Sequence, residues 1–225
     1  MSLRIIGGAF RRRKLATPHG LTTRPYTDRV RQIVFDRLSP NLEDARVADV
    51  FSGVGTMGLE SISRGAKSCV FFEADRAVHE CLEANVKMLT PNHPTMCWKT
   101  DIHRTSFCPK GHDECMPYNL VFFDPPYPQC PLFAEGKKLH KSMQRLSRPR
   151  ATTSDAIVLL RTPDRFDLPE LDGWEVSDLW PISSMKLWLL RKPSTDSSSP
   201  TTTSETAPVE PSRIPPDSKS NSHLN

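Results

Sequence analysis

Apolar residues along this chain come in short, nearly unbroken runs: 47–51 with Asp49 inside it, 69–72, 120–123 and 156–160. Runs that are continuous rather than alternating predict strands covered on both faces, the habit of parallel sheets. Between them the period changes. Residues 76–89 place Val78, Leu82, Val86 and Leu89 inward at helical spacing, and a shorter helix is expected from Leu59 to about Arg64, closed by Gly65. A weaker third strand covers 95–100, loop covers 102–118, and a helix of mixed character covers 132–146. Two last strands, 174–179 and 185–190, are separated by residues 180–184. Near the amino terminus Val30, Ile33, Val34 and Leu38 form a helical stripe, with Asp28 as its cap and Pro40 ending it. Strand and helix alternate and a strand pair closes the series, so the pattern predicts an α/β fold with a doubly wound, mostly parallel sheet.

Composition divides the chain into three. Residues 193–225 hold 20 Ser, Thr or Pro in 33 positions and no aromatic. Such a stretch buries too little surface to offset its ordering entropy, so a disordered tail is expected there. Residues 1–37 hold nine Arg or Lys against two Asp, a local +7 that leaves −3 for the rest of a chain whose net charge is +4. Eight of the nine are arginines, the type suited to bidentate phosphate contact, so residues 1–40 read as a basic hairpin-and-helix extension facing a nucleic acid. Arg4, Arg11, Arg12, Arg13, Lys14, Arg24, Arg29 and Arg31 are its candidate contacts, the helical arginines lying off the apolar stripe. Residues 41–192 are the expected catalytic domain.

No apolar run is long enough to span a membrane, and the first residues do not make a secretory signal. The six cysteines include no Cys-x-x-Cys pair, which fits reduced thiols in a cytoplasmic protein. Cys69 and Cys81 fall on expected buried faces. Cys108, His112 and Cys115 approach metal-ligand spacing, but a fourth ligand is missing unless His103 joins, so no metal is expected.

Candidate chemistry gathers at two strand ends. The run 120–123 leads straight into Asp124-Pro125-Pro126-Tyr127. Two prolines stop the strand and stiffen the turn, presenting a carboxylate and an aromatic at the carboxyl end of a strand, where open α/β sheets bind ligands. The Asp124 carboxylate and the Pro125 carbonyl suit the two N–H bonds of an exocyclic amine on a nucleobase, and Tyr127 suits the face of an unstacked base. The first core strand runs into Gly53-x-Gly55-x-x-Gly58, and Glu73 ends the second strand 20 residues after Gly53, placed for ribose hydroxyls. Asp101, after the third strand, could take an adenine amino group or simply close a turn. The glycine pattern alone would also admit a dinucleotide-dependent oxidoreductase. Asp49, in Asp-x-Phe51-x-Gly-x-Gly, and the Asp-Pro-Pro-Tyr tip point instead to the S-adenosylmethionine form of the loop, as it occurs in methyltransferases.

Together these segments resemble the bacterial RsmD-type methyltransferases, which modify the exocyclic N2 of a guanine in 16S ribosomal RNA. The resemblance runs from about Arg4 to Arg191 and rests on Arg4-Ile-Ile-Gly-Gly8, Arg13-Lys-Leu15, Thr23-Arg-Pro25, Asp28-Arg-Val-Arg31, Asp49-Val-Phe-Ser-Gly-Val-Gly55, Gly58-Leu-Glu-Ser61, Ser63-Arg-Gly65 and Asp124-Pro-Pro-Tyr127. It implies a Rossmann-like, seven-stranded methyltransferase sheet with a terminal antiparallel strand. It implies S-adenosyl-L-methionine held by Asp49, Phe51, Gly53, Gly55, Glu73 and Asp101. It implies catalysis by Asp124, Pro125, Pro126 and Tyr127, mostly through positioning, with no strong general base evident. The expected partner is 16S rRNA or an assembling small ribosomal subunit, met by a monomer. The chain departs from the pattern at Leu160-Arg161-Thr162-Pro163, where an acidic residue is usual, and in the long, cysteine-rich 102–118 loop. Neither departure is expected to touch the chemistry. Two alternatives stay open: methylation of an amino group on another RNA, on DNA or on a protein glutamine, and a non-enzymatic ribosome-assembly factor with an inactive cofactor pocket.

Overall fold

The computed structural model describes residues 3–18 and 26–194. Arg24, and the expected tail apart from Pro193 and Ser194, lie outside them. Seven strands form one sheet: β1 (Arg46–Val50), β2 (Ser68–Glu73), β3 (Thr95–Lys99), β4 (Tyr118–Phe123), β5 (Thr152–Pro163), β6 (Glu175–Ile182) and β7 (Met185–Arg191), in the order β3-β2-β1-β4-β5-β7-β6. The first five are parallel. β7 inserts antiparallel between β5 and β6. The sheet is therefore the doubly wound, mostly parallel one that the apolar runs predict.

Side-chain alternation along the central strands divides the core in two. Val47, Cys69, Phe71, Leu120, Phe122, Ile157 and Leu159 face α1 (Asp28–Leu38), α2 (Thr56–Ser63) and α3 (Arg76–Leu89). Ala48, Val50, Val70, Phe72, Val121, Phe123, Val158 and Leu160 face α4 (Lys138–Leu146) and the 100–117 loop, which contributes Ile102, Phe107 and Cys115. A fully buried Leu or Phe stabilises the fold by about 1.5–3 kcal/mol, so these two layers supply most of the driving force.

Several boundaries differ from the sequence pattern. Thr27, not Asp28, caps α1, its hydroxyl accepting from Val30 N–H at 3.3 Å. Asp28 is the first helical residue and spends its carboxylate on Arg4 and Arg31. α2 begins three residues early, at Thr56, because the Gly55 carbonyl already accepts from Leu59 N–H. The stretch 132–146 is not one helix. A 3₁₀ segment, Tyr127–Phe133, precedes α4, and Gly136 between them has φ 71°, outside helical conformation. β6 runs on to Ile182, leaving only Ser183 and Ser184 as the turn. It tolerates Pro181 because it is an edge strand. Cys81 is half-buried rather than buried.

The amino-terminal segment is hairpin-like. Ile5 N–H donates to the Arg13 carbonyl and Leu15 N–H to that of Leu3, each at 2.9 Å. Its bend is stitched to α2: Ile6 and Gly7 N–H donate to the Glu60 carboxylate at 2.8 and 2.7 Å, and Phe10 N–H to Ser63 Oγ at 2.8 Å. Ile5, Leu15 and Tyr26 are buried in the same core as α2. The basic arm is thereby fixed to the helix that opens at the glycine loop.

Candidate active site and nucleic-acid interface

Strand register brings the candidate residues together. Phe72, Val50, Phe123 and Leu160 pair in one row across β2, β1, β4 and β5. One residue beyond that row stand Glu73, Phe51, Asp124 and Arg161, on neighbouring strands roughly 4.8 Å apart. The row straddles the point where chain order reverses about β1, the usual ligand crevice of such sheets. Asp124 N–H donates to the Val50 carbonyl at 3.1 Å, tying the tip to the glycine loop.

The loop itself is shaped by backbone that side chains disfavour. Phe51, Gly53 and Gly55 all have positive φ, 63°, 57° and 88°. A Cβ at Gly55 would meet Leu82 Cδ1 at 2.7 Å, whereas one at Gly53 would meet nothing within 4 Å. Gly55 is thus required by close packing and conformation together, and Gly53 leaves its backbone open to a ligand. The Asp49 carboxylate accepts from Gly58 N–H at 2.8 Å, inside the first turn of α2. Glu73 accepts from Gly53 N–H at 2.9 Å and from Ala74 and Asp75 N–H at 2.9 and 2.8 Å, so it braces two loops at once. Asp101 is exposed after β3, and its carboxylate closes a turn by accepting from His103 N–H at 2.9 Å.

Three carboxylates therefore share the crevice. Burial, with Asp124 and Glu73 adding to it, pushes Asp49 up to about 8 despite the Gly58 hydrogen bond. Burial likewise pushes Asp124 up to about 6, partly offset by Arg161. Such a cluster is relieved by a ligand that carries positive charge. The acidic, acceptor-rich lining accordingly fits S-adenosyl-L-methionine, with its sulfonium and ammonium groups, better than a pyrophosphate.

Around the tip, Pro125 is buried, Pro126 exposed and Tyr127 half-buried. Arg161 Nε donates to Asp124 Oδ1, and the guanidinium carbon lies 4.4 Å from the Tyr26 ring centre and 5.5 Å from that of Tyr127. The expectation that the Arg161 departure would leave the chemistry untouched is corrected here: its side chain binds the carboxylate at the centre of the site. Tyr26 was likewise not among the sequence candidates. The available signal was positional, since parallel pairing of adjacent strands sets residue 161 beside residue 124. A pocket of about 560 Å³ opens next to them, lined by Thr27, Arg29, Tyr127, Arg161, Ser183 and Ser184 among others.

Arg4, Arg11, Arg12, Arg13, Lys14 and Arg29 are exposed. Arg31 is not. Its side chain is 0% exposed, with Nη2 2.7 Å from Asp28 and Nη1 3.7 Å from Glu60, so the expectation that it faces phosphate is corrected. The helical stripe alone could not show this, because Arg31 is turned onto Glu60 of α2, a neighbour that only the packing of the two helices supplies. Among the described residues, the metal-like spacing yields one group, His112, Glu114 and Cys115, with ligand atoms within 4.8 Å of one another, and Cys108 is not in it. The Cys115 thiol donates to the Pro94 carbonyl at 3.7 Å and is pushed up to about 11, chiefly by burial.

The family model described as conserved hypothetical protein 95 matches residues 3–188. The ribosomal RNA small subunit methyltransferase D of Escherichia coli K12 is 40% identical over 126 residues, covering 56% of this chain and 60% of that protein. The protein of the same name from Haemophilus influenzae is 32% identical over 126 residues, covering 56% and 64%. The matched stretch is thus under two thirds of the length of either relative. Over a longer span, the solved structure of yhhF from Escherichia coli aligns with a TM-score of 0.70 at 30% identity, covering 85% of this chain and 98% of that one.

Proposed function

This chain belongs to the conserved hypothetical protein 95 family, the RsmD family, and from that premise we propose that it is an S-adenosyl-L-methionine-dependent methyltransferase acting on the exocyclic N2 of a guanine in 16S ribosomal RNA. The observation that carries the reading is Asp124, held at the carboxyl end of β4 and tied through its backbone to the end of β1, where the glycine loop starts. The cofactor supplies an electrophilic methyl group on a sulfonium. Asp49, Phe51, Gly53, Gly55 and Glu73 shape and charge the cradle for it, with Asp101 at its rim. Asp124 and the Pro125 carbonyl accept the amine N–H bonds, drawing the nitrogen lone pair out of conjugation and toward the methyl group. Tyr127 offers its ring to the base, and Pro126 stiffens the tip. Positioning accounts for most of the acceleration. The exposed arginines of the amino-terminal arm hold the RNA backbone, and the substrate is the rRNA or an assembling small subunit. The protein acts in the cytoplasm as a monomer without a metal.

Asp124→Ala tests this directly. Transfer of a labelled methyl group should fall by about a hundredfold or more, the scale for deleting one preorganised polar group. Cofactor affinity, measured by calorimetry, should stay close to wild type. Loss of cofactor binding would move Asp124 from the substrate to the cofactor.

A further inference from the structure

Arg161 lies where the target base is expected to lie. Its guanidinium is bound to the Asp124 carboxylate and rests over the Tyr26 and Tyr127 rings, with 11% of the side chain exposed. The carboxylate and the Tyr127 ring are the acceptor and the aromatic surface that the proposed reading gives to the target base, and Tyr26 adds a second ring beside them. The chemistry also matches. The N1–C2(–NH₂)–N3 edge of guanine is itself a planar guanidine fragment with adjacent N–H donors. Adenine and cytosine carry an exocyclic amine but no neighbouring ring N–H at that edge.

We propose that Arg161 is a stand-in for the target guanine, occupying its slot in the substrate-free protein and yielding it only to a base that offers the same donor array. The inference rests on the reading of Asp124 as the amine acceptor. It makes Arg161 a specificity-determining residue rather than a catalytic one. A base lacking the ring N–H recovers fewer of the interactions that leave with the arginine, so it displaces Arg161 less well. The adjoining pocket, which mixes Val30, Ile33 and Met185 with Thr27, Ser183 and Ser184, gives the displaced side chain room to move toward the phosphates of the entering strand.

The test is binding of mononucleotides to the full chain, wild type and Arg161→Ala, followed by ligand-observed NMR. Guanosine 5′-monophosphate should bind the variant about tenfold or more tightly than wild type, the scale of one charge-assisted hydrogen bond no longer competed for. Adenosine 5′-monophosphate should gain no more than about twofold. Equal gains for both nucleotides would mean an emptied cavity and overturn the stand-in role, as would no gain for guanosine. Arg161→Gln, which keeps a side chain able to donate to Asp124, should give an intermediate gain, and it carries the same test if the alanine variant does not fold. Wild-type methylation of small subunits is measured alongside. Absence of N2-methylguanosine there overturns the functional reading, whereas its presence with unchanged guanosine binding in the variants overturns the stand-in role alone.

Discussion

In the proposed reading Asp124 is the residue on which the chemistry turns, and its protonation would set the acid limit of activity. A protonated carboxyl would have one acceptor oxygen fewer for the amine. Its value of about 6, raised by burial against the opposing pull of Arg161, predicts that kcat/KM falls about tenfold per pH unit below that point. A pH profile with no acid limb between about 5 and 7 would contradict the role. Unfolding does not imitate this effect through Asp124. Its folded-state pKa is raised from the ordinary 3.8, so the stability it contributes is present below about pH 4 and is lost as pH rises through about 6. Acidification therefore stabilises the fold at this residue while disabling the site. The aspartate, the prolines and the glycine loop were legible in the sequence because each is a local departure at a strand end. Arg161 and Tyr26 were not, because their place beside Asp124 is made by pairing of distant strands and by docking of the amino-terminal segment.

Among the elements, α2 joins the two halves of the proposed function. Its first turn completes the glycine loop, and its Glu60 holds the bend of the basic arm. Glu60 is fully buried, accepting from Ile6 N–H, Gly7 N–H and Arg64 Nε, and it stands 3.7 Å from the buried Arg31. Glu60→Ala would orphan two backbone donors and leave Arg31 short of a countercharge. The cost should be about 3–5 kcal/mol, the range for breaking a buried pair from one side, read as a lower urea midpoint. Amides 5–15 should lose hydrogen-exchange protection before those of β4. Wild-type stability in this variant would show that the arm is held by its apolar packing alone. Strands β2 and β4 and helix α3 lie nearly where the apolar pattern sets them. The ends of α2, β5 and β6 do not, since capping by Gly55 extends α2, and antiparallel pairing with β7 carries β5 to Pro163 and β6 to Ile182, beyond their apolar stretches.

For the molecule as a whole, the proposed encounter with RNA rests on separation of charge. The exposed Arg11, Arg12 and Arg13 stand on an arm whose bend is anchored to α2, and the crevice carries the carboxylates. Neutralising all three arginines should reduce the slope of log affinity against log salt by about 0.7–0.9 for each phosphate that an arginine no longer neutralises. An unchanged slope would place the RNA-binding surface elsewhere. The doubly wound architecture was readable from alternation of apolar runs and helical stripes. The direction of β7 within the sheet followed from the resemblance rather than from periodicity, which carries no information about strand direction. The central claim is tested most directly by incubating the protein with labelled S-adenosyl-L-methionine and small ribosomal subunits that lack their native methylations, then identifying the labelled nucleoside by mass spectrometry. N2-methylguanosine at a single 16S position is the predicted product. Label in any other nucleoside, or none in the presence of normal cofactor binding, would contradict it.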